Sequence, residues 1–116
     1  LPGEFINGQF TLGENIGDLT GLTMGYAAYK KSLNGEEAPI IDGMTGDQRF
    51  FLSYGQIWQR KFRDEALRNR LKSDPHSPGE YRANGIVRNF DKWYEAFNVQ
   101  PGDALYLAPE ERVKIW

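Results

Sequence analysis

A chain of 116 residues with 40% apolar and 14% aromatic side chains is long enough for one domain with one modest core, and too apolar for a disordered segment. Its net charge of −2, with acids and bases interspersed, leaves no basic stripe to track a phosphate backbone, which argues against nucleic acid as a partner. The absence of cysteine excludes disulfides, a thiol nucleophile and thiolate metal ligands, and the single histidine, His76, leaves a zinc site made wholly within this chain short of its usual ligands.

Residues 1–10, LPGEFINGQF, hold a Pro-Gly and an Asn-Gly and read as irregular or extended. No apolar run approaches the ~20 residues of a membrane span, and no N-terminal signal pattern is present. Thr11 and Glu14 fit a capping box, so a helix is expected from Thr11 to about Leu33, stopped by Asn34-Gly35. Its apolar side is Leu19, Leu22, Tyr26 and Tyr29. After the loop NGEEAPIIDGM, a second helix is expected from Thr45 or Asp47 to about Lys61, with Phe50, Phe51, Tyr54, Ile57 and Trp58 as its stripe. A third, RDEALRNRLKS, would bury Ala66, Leu67 and Leu71. Residues 74–82, DPHSPGEYR, read as an ordered loop stiffened by Pro75 and Pro78. ANGIVRNF is ambiguous between helix and strand, DKWYEAFN is a short helix capped by Asp91, and the tail carries a turn and ends in the aromatic Trp116. The sum is a mainly α piece.

The segment TLGENIGDLTG places two carboxylates, Glu14 and Asp18, one helical turn apart, with Gly21 and Gly25 on the same narrow strip and Gly17 among them. Like charges at that spacing destabilise a helix. Each interior glycine costs it about 1 kcal/mol relative to alanine. A glycine-lined strip invites close packing, and two acids facing a packed neighbour need a metal ion, or lysines or arginines. Spacing alone also allows blander readings. Glu14 is then a capping residue, Asp18 an acid favoured by the helix dipole and His76 a surface-loop histidine. Arg82 is then a surface arginine, or pairs with Glu80 or Asp74.

Taken together, NGQFTLGENIGDLTGL, QRFFLSYGQIWQRKFR, LKSDPHSPGEYRANGIVRNFDKWYEAFNV and the closing RVKIW resemble, in order and near spacing, the C-terminal part of the neprilysin-like zinc metallopeptidases. GENIGD and DPHSPGEYR are the most specific elements. The resemblance covers essentially the whole chain and implies the helical C-terminal part of a gluzincin-type metallopeptidase catalytic domain. It implies that Glu14 is the third protein ligand of a catalytic zinc. Asp18 would then hydrogen-bond a zinc-binding histidine and fix its ring. His76 would stabilise the oxyanion of the tetrahedral intermediate. Arg82 would bind a backbone carbonyl of an oligopeptide substrate.

The family's His-Glu-x-x-His helix and its Asn-Ala strand motif are absent from this sequence, so two zinc ligands and the general base are missing. The expectation is a fragment of a zinc endopeptidase, inactive alone and weak in zinc binding, whose missing N-terminal part is its first partner. Exposed apolar surface made for that part would favour a homodimer of the fragment. The lack of cysteine near the C-terminus suggests a bacterial member, with periplasmic, secreted and cytoplasmic locations all open. The competing expectation is a non-catalytic helical interaction module derived from the family.

Overall fold

The structure, a computed structural model, describes residues 1–115; Trp116, and with it the expected aromatic end of the tail, lies outside the described residues. Five helices follow one another: α1 (Gly8–Ser32), α2 (Gly46–Ile57), α3 (Asp64–Ser73), α4 (Gly79–Val87) and α5 (Asp91–Phe97), with a 3-10 turn at Pro109–Glu111. Among the described residues there is no strand, only an isolated bridge between Ile41 and Met44. The mainly α expectation holds.

The first helix begins a turn earlier than the capping-box reading placed it. Asn7 is the cap, its side-chain oxygen accepting from the Phe10 amide at 3.0 Å. Thr11 is therefore interior and buried, and its hydroxyl donates back to the Asn7 carbonyl at 3.0 Å. The Thr11–Glu14 capping box does not form, which frees Glu14 for another role. At the other end Asn34 and Gly35 take left-handed backbone angles, φ 51° and 81°, and stop the helix as expected.

Thr45 and Gln48 cap α2 reciprocally. This helix stops at Ile57 rather than near Lys61, because the Trp58 and Gln59 amides close tighter bonds to Gly55 and Gln56, and Arg60 donates to the Ile57 and Gln59 carbonyls. Helix α3 buries nothing fully. Leu67 and Leu71 are partly covered and Ala66 is exposed, contrary to expectation. The 74–82 loop is shorter than it reads. Pro78 serves as N-cap, and α4 starts at Gly79, so Arg82 stands on a helix. The ambiguous stretch after it is helical. Asp91 opens α5 without capping it; its carboxylate goes instead to Arg112 and Lys114.

Helix α1 packs on α4, and α2 on both α4 and α5. Leu19, Leu22, Phe51, Ile86 and Val87 form the buried centre, flanked by Tyr26, Phe50, Phe90 and Trp93. The burial gained there offsets the glycine cost of α1. The packing of α1 against α4 carries the carboxylate strip of one towards Arg82 in the first turn of the other.

Candidate metal and peptide site

Glu14 and Asp18 project from adjacent turns of α1. Arg82, in the first turn of α4, meets Asp18 with both ends of its fork. Its Nε donates to Oδ2 at 2.5 Å and its Nη2 to Oδ1 at 2.6 Å. Both side chains are 12% exposed, so this is a largely desolvated, charge-assisted, bidentate pair. The Asp18 bond, opposed by burial, keeps the Arg82 guanidinium more basic than an ordinary arginine. The partner is neither Glu80 nor Asp74. Arg82 Nη2 also lies 3.8 Å from Glu14 Oε2, and among the described residues Nη1 has no hydrogen-bond partner.

His76 sits in the loop before α4, with Nε2 at 3.3 Å from Glu14 Oε2. Its other nitrogen, Nδ1, is 2.7 Å from Asp74 Oδ1, and the same oxygen accepts the His76 amide at 3.0 Å. The backbone bond first, and the ring bond after it, hold the Asp74 carboxyl below the usual carboxylate range. Asp74 thus fixes which ring nitrogen faces Glu14. The loop is tied to α1 a second way: the buried Ser77 hydroxyl donates to Asn15 Oδ1 at 2.9 Å. All four residues singled out in the sequence, Glu14, Asp18, His76 and Arg82, therefore meet in one cluster, with Asp18 and Arg82 bridging 64 positions of sequence.

The carboxylate strip is covered on one side only. A Cβ added at Gly17 or Gly21 would meet nothing within 4 Å, and one at Gly25 would just touch the Phe50 ring, so the expected close packing along the whole strip is absent. Gly17, Gly21, Tyr54 and Ile57 instead line an open groove of about 480 Å³ beside Asp18. A second cavity, of about 340 Å³, lies beyond it between Trp58, Phe62, His76 and Arg82.

Zinc fits Glu14 but is not completed here. The Glu14 side chain is 47% exposed, so its carboxylate is reachable from outside the chain. Among the described residues no group of three or more His, Cys, Asp and Glu side chains could hold a metal ion. The described residues therefore do not make a metal site by themselves.

Two side chains that order this cluster escaped the sequence reading. Asp74 had a signal, an acid two residues before the histidine in an Asx-turn pattern. Asn15 had none, because its partner Ser77 lies 62 positions away.

The sequence model of Peptidase family M13 matches residues 2–113. The chain belongs to this family. Human neprilysin is 39% identical over 118 residues, covering 98% of this chain, and bovine endothelin-converting enzyme 1 is 38% identical over 119 residues, covering all of it. The zinc metalloprotease Zmp1 of Mycobacterium tuberculosis, in its open state, superposes on 99% of the chain with a TM-score of 0.96 and 54% identity. The chain spans only 15% of neprilysin, 16% of the endothelin-converting enzyme and 18% of Zmp1. Its helical fold is thus that of one part of an M13 peptidase, and the neprilysin-like resemblance of its motifs holds.

Proposed function

We propose that this chain is the C-terminal segment of a bacterial zinc endopeptidase that hydrolyses oligopeptides, and that it supplies one zinc ligand and two substrate-handling groups. The observation that carries this reading is the convergence of Glu14, Asp18, His76 and Arg82 beside an open groove. Glu14 would hold the zinc, with the remaining ligands and the general base coming from a His-Glu-x-x-His helix outside this sequence. When bound, the ion supplies a Lewis acid to the scissile carbonyl and to water. His76 Nε2, held by Asp74 and 3.3 Å from Glu14, donates to the carbonyl oxygen as negative charge grows on it. Arg82 offers its spare Nη1 hydrogens to a peptide carbonyl while Asp18 fixes the plane of its guanidinium. Each Asp18 oxygen keeps a second lone pair for an imidazole N–H of the missing helix.

Two further features support a segment of something larger. The radius of gyration, 15.7 Å, exceeds the ~13 Å of a compact domain of about this length. Among the described residues no large side chain is fully sealed from solvent, while Phe10, Leu12 and Ile16 of α1 are 46%, 53% and 41% exposed. Alone, the chain is expected to be inactive and to self-associate through the exposed apolar side chains of α1, which sedimentation velocity would reveal.

The test is zinc stoichiometry and peptide hydrolysis by the full-length protein and its Glu14→Ala variant. One zinc and activity, both lost on substitution, support the reading. Zinc and activity both retained in Glu14→Ala would overturn it and favour an interaction module.

A further inference from the structure

The C-terminal turns of α2 approach the first turn of α4 at three points. The Tyr54 hydroxyl donates to the Arg82 carbonyl at 2.9 Å. The Arg82 guanidinium lies over the Trp58 ring, 4.1 Å from its centroid. The Trp58 carbonyl presses against Gly79 so closely that no Cβ would fit there. Tyr54 lies in the last turn of α2 and Trp58 is the residue that caps its C-terminal end, and their rings meet edge to face at 6.2 Å. From these contacts we infer that Tyr54 is a positioning residue for Arg82: it pins the main chain from which the guanidinium reaches Asp18, and so sets where the spare Nη1 hydrogens point. The inference rests on the reading of Arg82 as the group that orients a peptide.

The Arg82 carbonyl lies inside α4, whose own ladder already uses one of its two lone pairs. The Tyr54 bond is therefore not required to build the helix. What it adds is a cross-tie from α2 at the residue whose side chain must point accurately. A bidentate pair is sensitive to such a tie, because two short parallel bonds tolerate little rotation of the fork. Burial first, and the nearby Asp18 carboxylate second, push the Tyr54 phenol up to about 12, so it stays a donor at working pH.

The experiment is a double-mutant cycle in the full-length protein with Tyr54→Phe and Arg82→Ala. Phenylalanine keeps the ring against Trp58 and removes only the hydroxyl. Tyr54→Phe should lower kcat/KM about fivefold, the size of one ordinary hydrogen bond. It should weaken binding of an uncleaved peptide to the zinc-free protein by a similar factor, with zinc content unchanged in the loaded enzyme. In the Arg82→Ala background the same substitution should have no further effect. The inference is overturned alone if Arg82→Ala is impaired while Tyr54→Phe is not, or if the Tyr54→Phe loss persists without Arg82. An Arg82→Ala protein with full activity would instead overturn the peptide-orienting role of Arg82, and this inference with it.

Discussion

Two arginines show how one residue type can serve opposite ends. Arg112 lies over the Tyr94 ring, 3.6 Å from its centroid, with Nε and Nη2 on the Leu107 carbonyl at 3.0 and 2.9 Å and Nη1 on Asp91 at 3.0 Å. Each of its three nitrogens is spent on the protein. Around it the Tyr94 hydroxyl accepts the Leu107 amide, Arg88 holds the Leu105 carbonyl, and the segment from 105 to 112 is strapped onto α4 and α5. Arg82 is as well buried, at 12% against 9%, and as firmly paired, yet Nη1 is left over; its partner Asp18 lines an open groove, and Arg82 itself lines the second cavity together with His76. Arg112 closes a structure; Arg82 keeps a donor in reserve. On the proposed reading of Arg82, the difference teaches that unspent hydrogen-bonding capacity, rather than burial or charge, would separate a working arginine from a structural one.

The contrast can be sharpened by removing its parts. On the working side, His76→Ala in the full-length enzyme should lower kcat about 100-fold or more, as loss of a preorganised oxyanion donor does, with KM little changed. Steady-state kinetics on a fixed peptide checks this. On the structural side, Arg112→Met should cost about 2 kcal/mol of stability. This is less than a wholly buried pair would give, because Asp91 is 44% exposed and screened. Denaturant unfolding reads that loss, and activity per folded molecule should be unchanged.

Asp74→Asn should have a smaller effect, about fivefold in kcat, since it leaves His76 in place and loosens only its ring. The smallest effect concerns acid. Lys114 first, and Arg112 second, hold the Asp91 carboxyl below the usual carboxylate range. A depressed pKa in the folded state means that the contribution is complete above about pH 4 and is lost as pH falls through the lower folded value. Asp91→Asn should therefore lower stability at neutral pH and flatten the acid limb of the stability profile; thermal melts between pH 2 and 7 would show it.

Much of this was legible in the sequence where a local rule and the tertiary packing agree. Asn34-Gly35 stops α1, Thr45 opens α2 through its box with Gln48, and the 3.6-residue period picks Leu19, Leu22 and Tyr26 as the covered side. The start of α1 was not legible, because Asn7 and Thr11 are both competent caps and only burial of Thr11 decides between them. Nor was the start of α4: Pro78 stiffens a loop and occupies the N-cap position of a helix with the same ring. Periodicity placed Glu14 and Asp18 on one face, but a face does not name its partner. That Arg82 takes both Asp18 oxygens, and that Tyr54 ties Arg82 from α2, follows only from the packing of three helices.

The most direct measurement is kcat/KM, per folded molecule, for Arg82→Ala and Arg112→Met in the full-length protein assayed side by side on one peptide. The account predicts a fall of about 100-fold or more for Arg82→Ala, as loss of an orienting contact can give, with no fall for Arg112→Met. Equal losses in the two variants, or full activity in Arg82→Ala, would contradict it.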